Sequence, residues 1–272
     1  MGDLILSPRG RRYGALPQTT DLQDLSLFAM LSVNLPIPPK TNNRIFMGPI
    51  KNQGNEGSCT AHATTSEEEF LQRKFKNNRV VLSPAFLYYL ERQLEGTLGQ
   101  GDCGAQVRTG VKAMNQFGCC TLPEMPYVAG DFNTPPTSAE LQQALQYAKG
   151  PYHSIGLFAD MKTCLASGYG FCLGFLVYSS FEGDDVANTG LMPVPDPTSE
   201  QLLGLHDVFV LDYDDTIQCP KATSRGALVA QNSWGSGWGD AGTFFMPFEV
   251  AANAQMVDAA WMQHLGKPWV PN

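Results

Sequence analysis

The chain has 272 residues, of which 43% are hydrophobic and only 16% charged, enough apolar surface for a globular core and too much for a disordered tail. Its net charge of −8 repels phosphate backbones and anionic lipid, so neither nucleic-acid nor membrane binding is expected. At roughly 150 residues per domain, the length suits one large or two small domains sharing a core.

Leu4-Ile5-Leu6 is too short for the apolar region of a secretory signal and is followed by Arg9, Arg11 and Arg12, so synthesis in the cytoplasm is expected, with export by a non-Sec route left open. The apolar stretch near Leu25 to Val33 falls well short of the roughly 20 residues needed to span a bilayer. Seven cysteines make an odd number, and no pair has C-x-x-C spacing; buried thiols in a reducing compartment are expected rather than a disulfide framework.

Residues 1–44 mix Pro, Gly, Arg and Asp with little periodicity and read as an arm that wraps the body. Good helix formers follow Ser58, with Arg73 and Lys74 at the end that the helix dipole favours for cations, so a helix begins near Cys59. Ser83-Pro84 caps a second helix that Gly96 stops, and VRTGVKAMNQF closed by Gly118 reads as a third. Thr137 to Glu140 forms a capping box, and a short helix surrounds Cys164. Beyond it the pattern changes. Phe171 to Tyr178, Asp207 to Tyr213, Ala227 to Gln231 and Thr243 to Met246 read as strands of an antiparallel sheet. The expected architecture is α+β: a helical lobe over 45–135, a β-rich lobe over 136–272, and a cleft between them.

Glycines and small residues precede Cys59 and leave it at the amino end of its helix, a place that favours thiolate. Lowering a thiol pKa from about 8.5 to about 4 needs roughly 6 kcal/mol, whereas a helix terminus supplies about 0.3–1. A cation must supply the rest, and imidazolium is the natural one because it can return the proton to a leaving group. Of the four histidines, His62 sits too early in the helix for an in-line relay, and His153 and His264 read as surface or loop residues. His206 opens the apolar run DVFVLDY and is the favoured partner. Asn232 ends the next strand, where its amide can orient the imidazole, and Trp234 can shield that bond from water. Gln53 offers a donor amide that, with the Cys59 N–H, can hold a developing oxyanion.

KNQGNEGSC, LHDVFVLDYDD and QNSWGSGWGDAGTFFMP resemble the papain-like cysteine peptidases, with LSPAFLYYLE and GDCGAQVRTGVKAMNQFG in the family's order. His206 follows Cys59 within the family's interval of about 130–150 residues, and Asn232 lies beyond it; extra loop around Met192 to Pro197 accounts for the excess. The resemblance implies a papain-like two-lobed fold and an endopeptidase with Cys59 as nucleophile, His206 as acid/base, Asn232 as orienter and Gln53 as oxyanion donor. Gly104 and Ala105 would line the substrate wall, Leu205 an apolar pocket, and Trp234 and Trp238 would pack beside Asn232. No cofactor or metal is implied. The expected partners are peptide or protein substrates, and a monomer is expected. An acyl or peptidyl transferase using the same groups is the alternative, and a catalytically silent binding protein is a third reading.

The departures are specific. Glu56 stands where the family has a cysteine and Thr60 where it has an aromatic, so the usual disulfide cannot form and Cys103 loses its expected partner. Asp207 is expected to point away from the face used by His206. RRYGALPQTTDLQDL resembles the short amino-terminal segment of bacterial members, either a strap bracing the halves, the favoured reading, or a plug in the cleft. Gly237 to Gly242 matches G-x-G-x-x-G but precedes a strand-like run, which excludes a nucleotide cradle. Glu67-Glu-Glu69 reads as a solvated helix face.

Overall fold

The computed structural model describes residues 6–19, 37–148 and 150–263; His264 and the remainder of the arm lie outside them. A short strand β1 (Ala15–Leu16) precedes helix α1 (Cys59–Lys76), α2 (Pro84–Glu95), strand β2 (Ala105–Gln106), α3 (Val107–Phe117) and α4 (Ser138–Ala144). Then come β3 (Tyr152–Ser154), α5 (Phe158–Ala166), β4 (Phe171–Tyr178), α6 (Asp184–Thr189), β5 (Leu202–Asp214), β6 (Ala227–Gln231), β7 (Thr243–Pro247), α7 (Phe248–Ala251) and β8 (Val257–Gln263).

The helix signals act as their chemistry requires. Ser83 accepts the Phe86 N–H with Pro84 in the first turn, Gly96 closes α2 in the left-handed region at φ 69°, and Thr137 and Glu140 complete a reciprocal capping box. Three basic residues in the last turn of α1 oppose its dipole, and left-handed Asn77 ends it.

Six strands form one antiparallel sheet in the order β3-β8-β4-β5-β6-β7. β5 is its long central member, placing His206 opposite Phe175 and Asp207 opposite Gly174 on β4. Helix α1 crosses the sheet, and Phe70 and Leu71 pack against Phe209 and Leu211 of β5 in a fully buried cluster. Truncating such a side chain costs about 3–5 kcal/mol, so this contact rigidly fixes the helix bearing Cys59 to the strand bearing His206.

Burial corrects two expectations. Glu67, Glu68 and Glu69 are all fully buried, because α1 is wrapped on every side and has no solvated face there. Lys51 pairs with Glu69 at 2.6 Å, and the main-chain and side-chain N–H groups of Gln263 bind Glu67. His153 is buried on β3, not a surface residue; Tyr152–Ser154 is too short, and Val257–Gln263 too mixed in composition, to have stood out as strands. The cysteines behave as expected: all seven are buried and free.

Candidate active site

Cys59 heads α1 and is completely buried, as is His206 in β5. The His206 Nε2 lies 2.9 Å from Asn232 Oδ1, and the same oxygen accepts the Ser233 N–H at 2.8 Å. An atom that accepts from a backbone amide is the oxygen of the carboxamide, so Nε2 carries the ring proton and Nδ1 is the basic nitrogen. Nδ1 makes no hydrogen bond in this state. Trp234 stacks on the imidazole, with ring centroids 5.1 Å apart and planes at 24°, and Trp238 packs edge-on against Trp234 at 4.8 Å. The indoles cover the His–Asn pair as expected.

Gln53 is held from both ends. Its Oε1 accepts from Ser233 Oγ at 2.5 Å, and its Nε2 donates to the Glu56 carbonyl at 2.7 Å and the Arg12 carbonyl at 3.3 Å. The last contact comes from the arm, which lies across all these groups. Tyr13 meets the His206 ring edge-on at 5.7 Å, the Arg11 guanidinium sits 3.8 Å over Trp234, and the Ala105 N–H donates to the Gly14 carbonyl at 2.9 Å. β1 then continues in parallel with β2, pairing Ala15 with Ala105, and Ala15 joins the apolar cluster containing Cys59 and Leu205. Gly14 is required by this close approach: a Cβ there would overlap the Gly57 carbonyl, and one on Gly104 would overlap the Gly14 carbonyl. Gly104 and Ala105 of the expected substrate wall, Leu205 of the expected apolar pocket and Trp234 thus all lie against the arm.

That cover sets the charge state. Burial pushes the Cys59 thiol up to about 12, with neighbouring Asp207 adding to the rise when it is ionised and the Asp207 and Gly14 backbone N–H groups opposing it. Burial also brings His206 down to about 4, with the Asn232 bond opposing and the Arg11 charge assisting. Thiol and imidazole are both neutral here, unlike the resting ion pair expected from the sequence, because the arm keeps water from the charged forms.

The family departures have local replacements. Glu56 accepts from the Tyr127 hydroxyl at 3.1 Å and the Gly130 N–H at 2.8 Å, tethering the loop before Cys59 without a disulfide. Thr60 donates to Glu91 at 2.6 Å. His62 is buried against Tyr127, with Nδ1 2.9 Å from the Ser58 carbonyl; burial lowers its pKa to about 3, so it is a neutral packing residue. Gly237 to Gly242 leads into β7 rather than a helix. Sequence reasoning missed Asp102 and Glu182, which bind the arm. Asp102 accepts from Arg12, the Gly57 N–H and the Tyr88 hydroxyl, and Glu182 accepts from Ser7 and Tyr13. Arg9, Arg11 and Arg12 were the available signal that acidic partners were needed.

A cysteine at the head of a buried helix, facing a sheet that carries a hydrogen-bonded His–Asn pair, is the arrangement of a cysteine peptidase. The sequence profile of the papain family cysteine proteases matches residues 37–263, and the chain belongs to that family. It is 32% identical over 231 residues to an uncharacterised peptidase C1-like protein of Acanthamoeba polyphaga mimivirus, covering 81% of this chain and 71% of that one. Among solved structures it resembles xylellain, a cysteine protease from Xylella fastidiosa, with a TM-score of 0.82 and 30% identity over 94% of this chain and 96% of that one. A digestive procathepsin L of the Tenebrio molitor larval midgut shares the fold at 18% identity and a TM-score of 0.70, covering 93% of this chain and 76% of its own.

Proposed function

We infer that the protein is a cysteine endopeptidase whose Cys59 and His206 cut peptide bonds through an acyl-enzyme, and that the arm, acting as a plug, holds it silent in the state described. The observation that carries this reading is the Arg12 carbonyl held by Gln53: a main-chain carbonyl of the arm takes up the donor that this reading assigns to the oxyanion. With the arm displaced, water and substrate dipoles reach the cleft and the neutral pair is no longer enforced by burial. Nδ1 of His206 takes the thiol proton while Asn232 keeps Nε2 in place. The thiolate attacks the carbonyl carbon, Gln53 and the Cys59 N–H hold the oxyanion, and His206 returns the proton to the departing amine. Water, deprotonated by the same imidazole, then releases the acyl group as a carboxylic acid and restores the thiol.

Alkylation of the full-length protein by iodoacetamide at about pH 5, far below the ordinary thiol range near 8.5, tests this. Gly14→Ala cannot seat its arm, because the clash is with backbone and no side chain can rotate away; overpacking of about 1–3 kcal/mol raises the open population about 5- to 150-fold. Cys59 is expected to react faster in G14A by that factor. Equal slow labelling in both proteins, with no peptide hydrolysis by G14A, would reject the reading.

A further inference from the structure

The arm is basic where the cleft is acidic, and its contacts outline a subsite for a cation. Glu182 follows β4 and is buried, yet both of its hydrogen-bond partners among the described residues, Ser7 Oγ and Tyr13 OH, belong to the arm. Asp184 binds Arg9 at 2.7 Å. Between these contacts the Arg11 guanidinium lies flat enough over the Trp234 ring to sit 3.8 Å from its centroid, and the Glu182 charge acts on it. An indole face and a buried carboxylate together form a receptor for a planar cation. When the arm leaves, Glu182 loses both of those hydroxyl partners, and its charge beside the indole face is free to meet an incoming cation.

We propose that Trp234 and Glu182 form a specificity subsite that selects peptides bearing arginine, and more weakly lysine, just beyond the bond that is cut, with Arg11 as its internal occupant. This rests on the peptidase reading above and names its substrate class. The position follows from the geometry. Along the arm, Arg11 lies over Trp234, Tyr13 meets His206 and Ala15 pairs with Ala105, so Trp234 and the Ala105 wall lie toward opposite ends of the cleft. Since His206 protonates the departing amine, the half of the substrate that passes over Trp234 is the leaving half. Arginine is favoured over lysine because a planar guanidinium stacks on the indole within the field of Glu182, whereas an ammonium is more strongly hydrated.

The experiment uses the full-length Gly14→Ala protein, in which the arm no longer competes, and quenched fluorescent peptides identical except for arginine, citrulline or glutamate after the cut, which mass spectrometry locates. Citrulline keeps the shape and removes the charge. The arginine peptide is expected to have about tenfold higher kcat/KM than the citrulline peptide, the glutamate peptide to be the poorest, and the preference to shrink between about 0.05 and 0.5 M salt. Adding Glu182→Gln should erase the difference between arginine and citrulline. Equal kcat/KM for the two peptides in G14A, or a preference that survives E182Q, overturns the proposal. Should E182Q fail to fold, protection of Cys59 from alkylation by uncleavable arginine and citrulline peptides gives the same comparison in G14A alone. That measurement also separates the two readings: protection by arginine without turnover rejects the peptidase and keeps the subsite, and turnover without charge preference does the reverse.

Discussion

His206 and Asp207 are consecutive residues of β5, both buried, and they face opposite ways. One side of the strand carries an imidazole beneath an arm; the other carries a carboxyl group into the packing between α1 and the sheet. Burial forces both to neutrality from opposite directions, bringing His206 down to about 4 and holding Asp207 well above the usual carboxylate range. What differs is the cover. Tyr13 and Gly14 belong to a segment held by a few hydrogen bonds and ion pairs, whereas Asp207 lies behind helices fixed by apolar packing. If the arm is the plug proposed above, its burial of His206 is a switch, whereas burial by the core is a fixed cost that acts only through pH.

The sharpest break of this comparison is His206→Ala in the Gly14→Ala background. If the imidazole is the acid/base, kcat should fall by about 10²–10⁴-fold with the melting transition little changed, because the strand keeps its pairing with β4 and β6. A loss of the same size in both kcat and folded fraction would reduce His206 to a packing residue.

How much of this was legible follows the same division. The Cys59, His206 and Asn232 signals are local: small residues before a helix, a histidine leading an apolar strand, an amide at the end of the next. Each could be read without knowing the tertiary structure. Placement of the Glu67 to Glu69 run could not, since three consecutive acidic residues are normally solvated, and only the sheet and α2 packed around α1 bury them. The pairing of β1 with β2 involves two residues on each side, too few for any periodicity to register. Asp102 and Glu182 were invisible for a related reason: their partners on the arm are 90 to 175 positions away in the chain.

The other face of β5 should reveal itself in stability. At Asp207 burial outweighs the Val208 and Leu173 backbone N–H groups and holds the carboxyl well above its usual range, and Glu67 behind it is pushed up to about 8 by burial. Both groups hold protons more tightly folded than unfolded, so the stability they lend is complete below pH about 4 and is lost as pH rises through their folded values. His206 and His62 act the other way: their folded pKa values lie below the unfolded value near 6.5, so stability falls as pH drops from there toward about 4 and about 3. A maximum on the acid side of neutral results. Asp207→Asn should remove part of the alkaline loss, raising stability at about pH 8 by about 1–2 kcal/mol relative to about pH 5, as read by urea unfolding at both values. A difference unchanged by the substitution would show that Asp207 is ionised in the native state or exchanges its proton without cost.

The smallest effect concerns how firmly the detachable cover is latched. Near the start of the arm, Arg9 and Arg12 form ion pairs of similar length, with Asp184 at 2.7 Å and with Asp102 at 2.9 Å. Their settings differ. The Arg9 and Asp184 side chains are 46% and 80% exposed, whereas Asp102 is 1% exposed and also fixes Gly57 and Tyr88. Water and salt already screen the outer pair, so Arg9→Ala should change the Cys59 alkylation rate by no more than the few-fold that about 0–1 kcal/mol allows, and that change should vanish at high salt. Arg12→Ala instead leaves a buried carboxylate short of its cation and should open the arm substantially more. If the two variants label Cys59 at the same rate, the latch is made by the backbone contacts of Gly14 with Gly57 and Ala105, and the charges on the arm serve only to guide it toward the cleft.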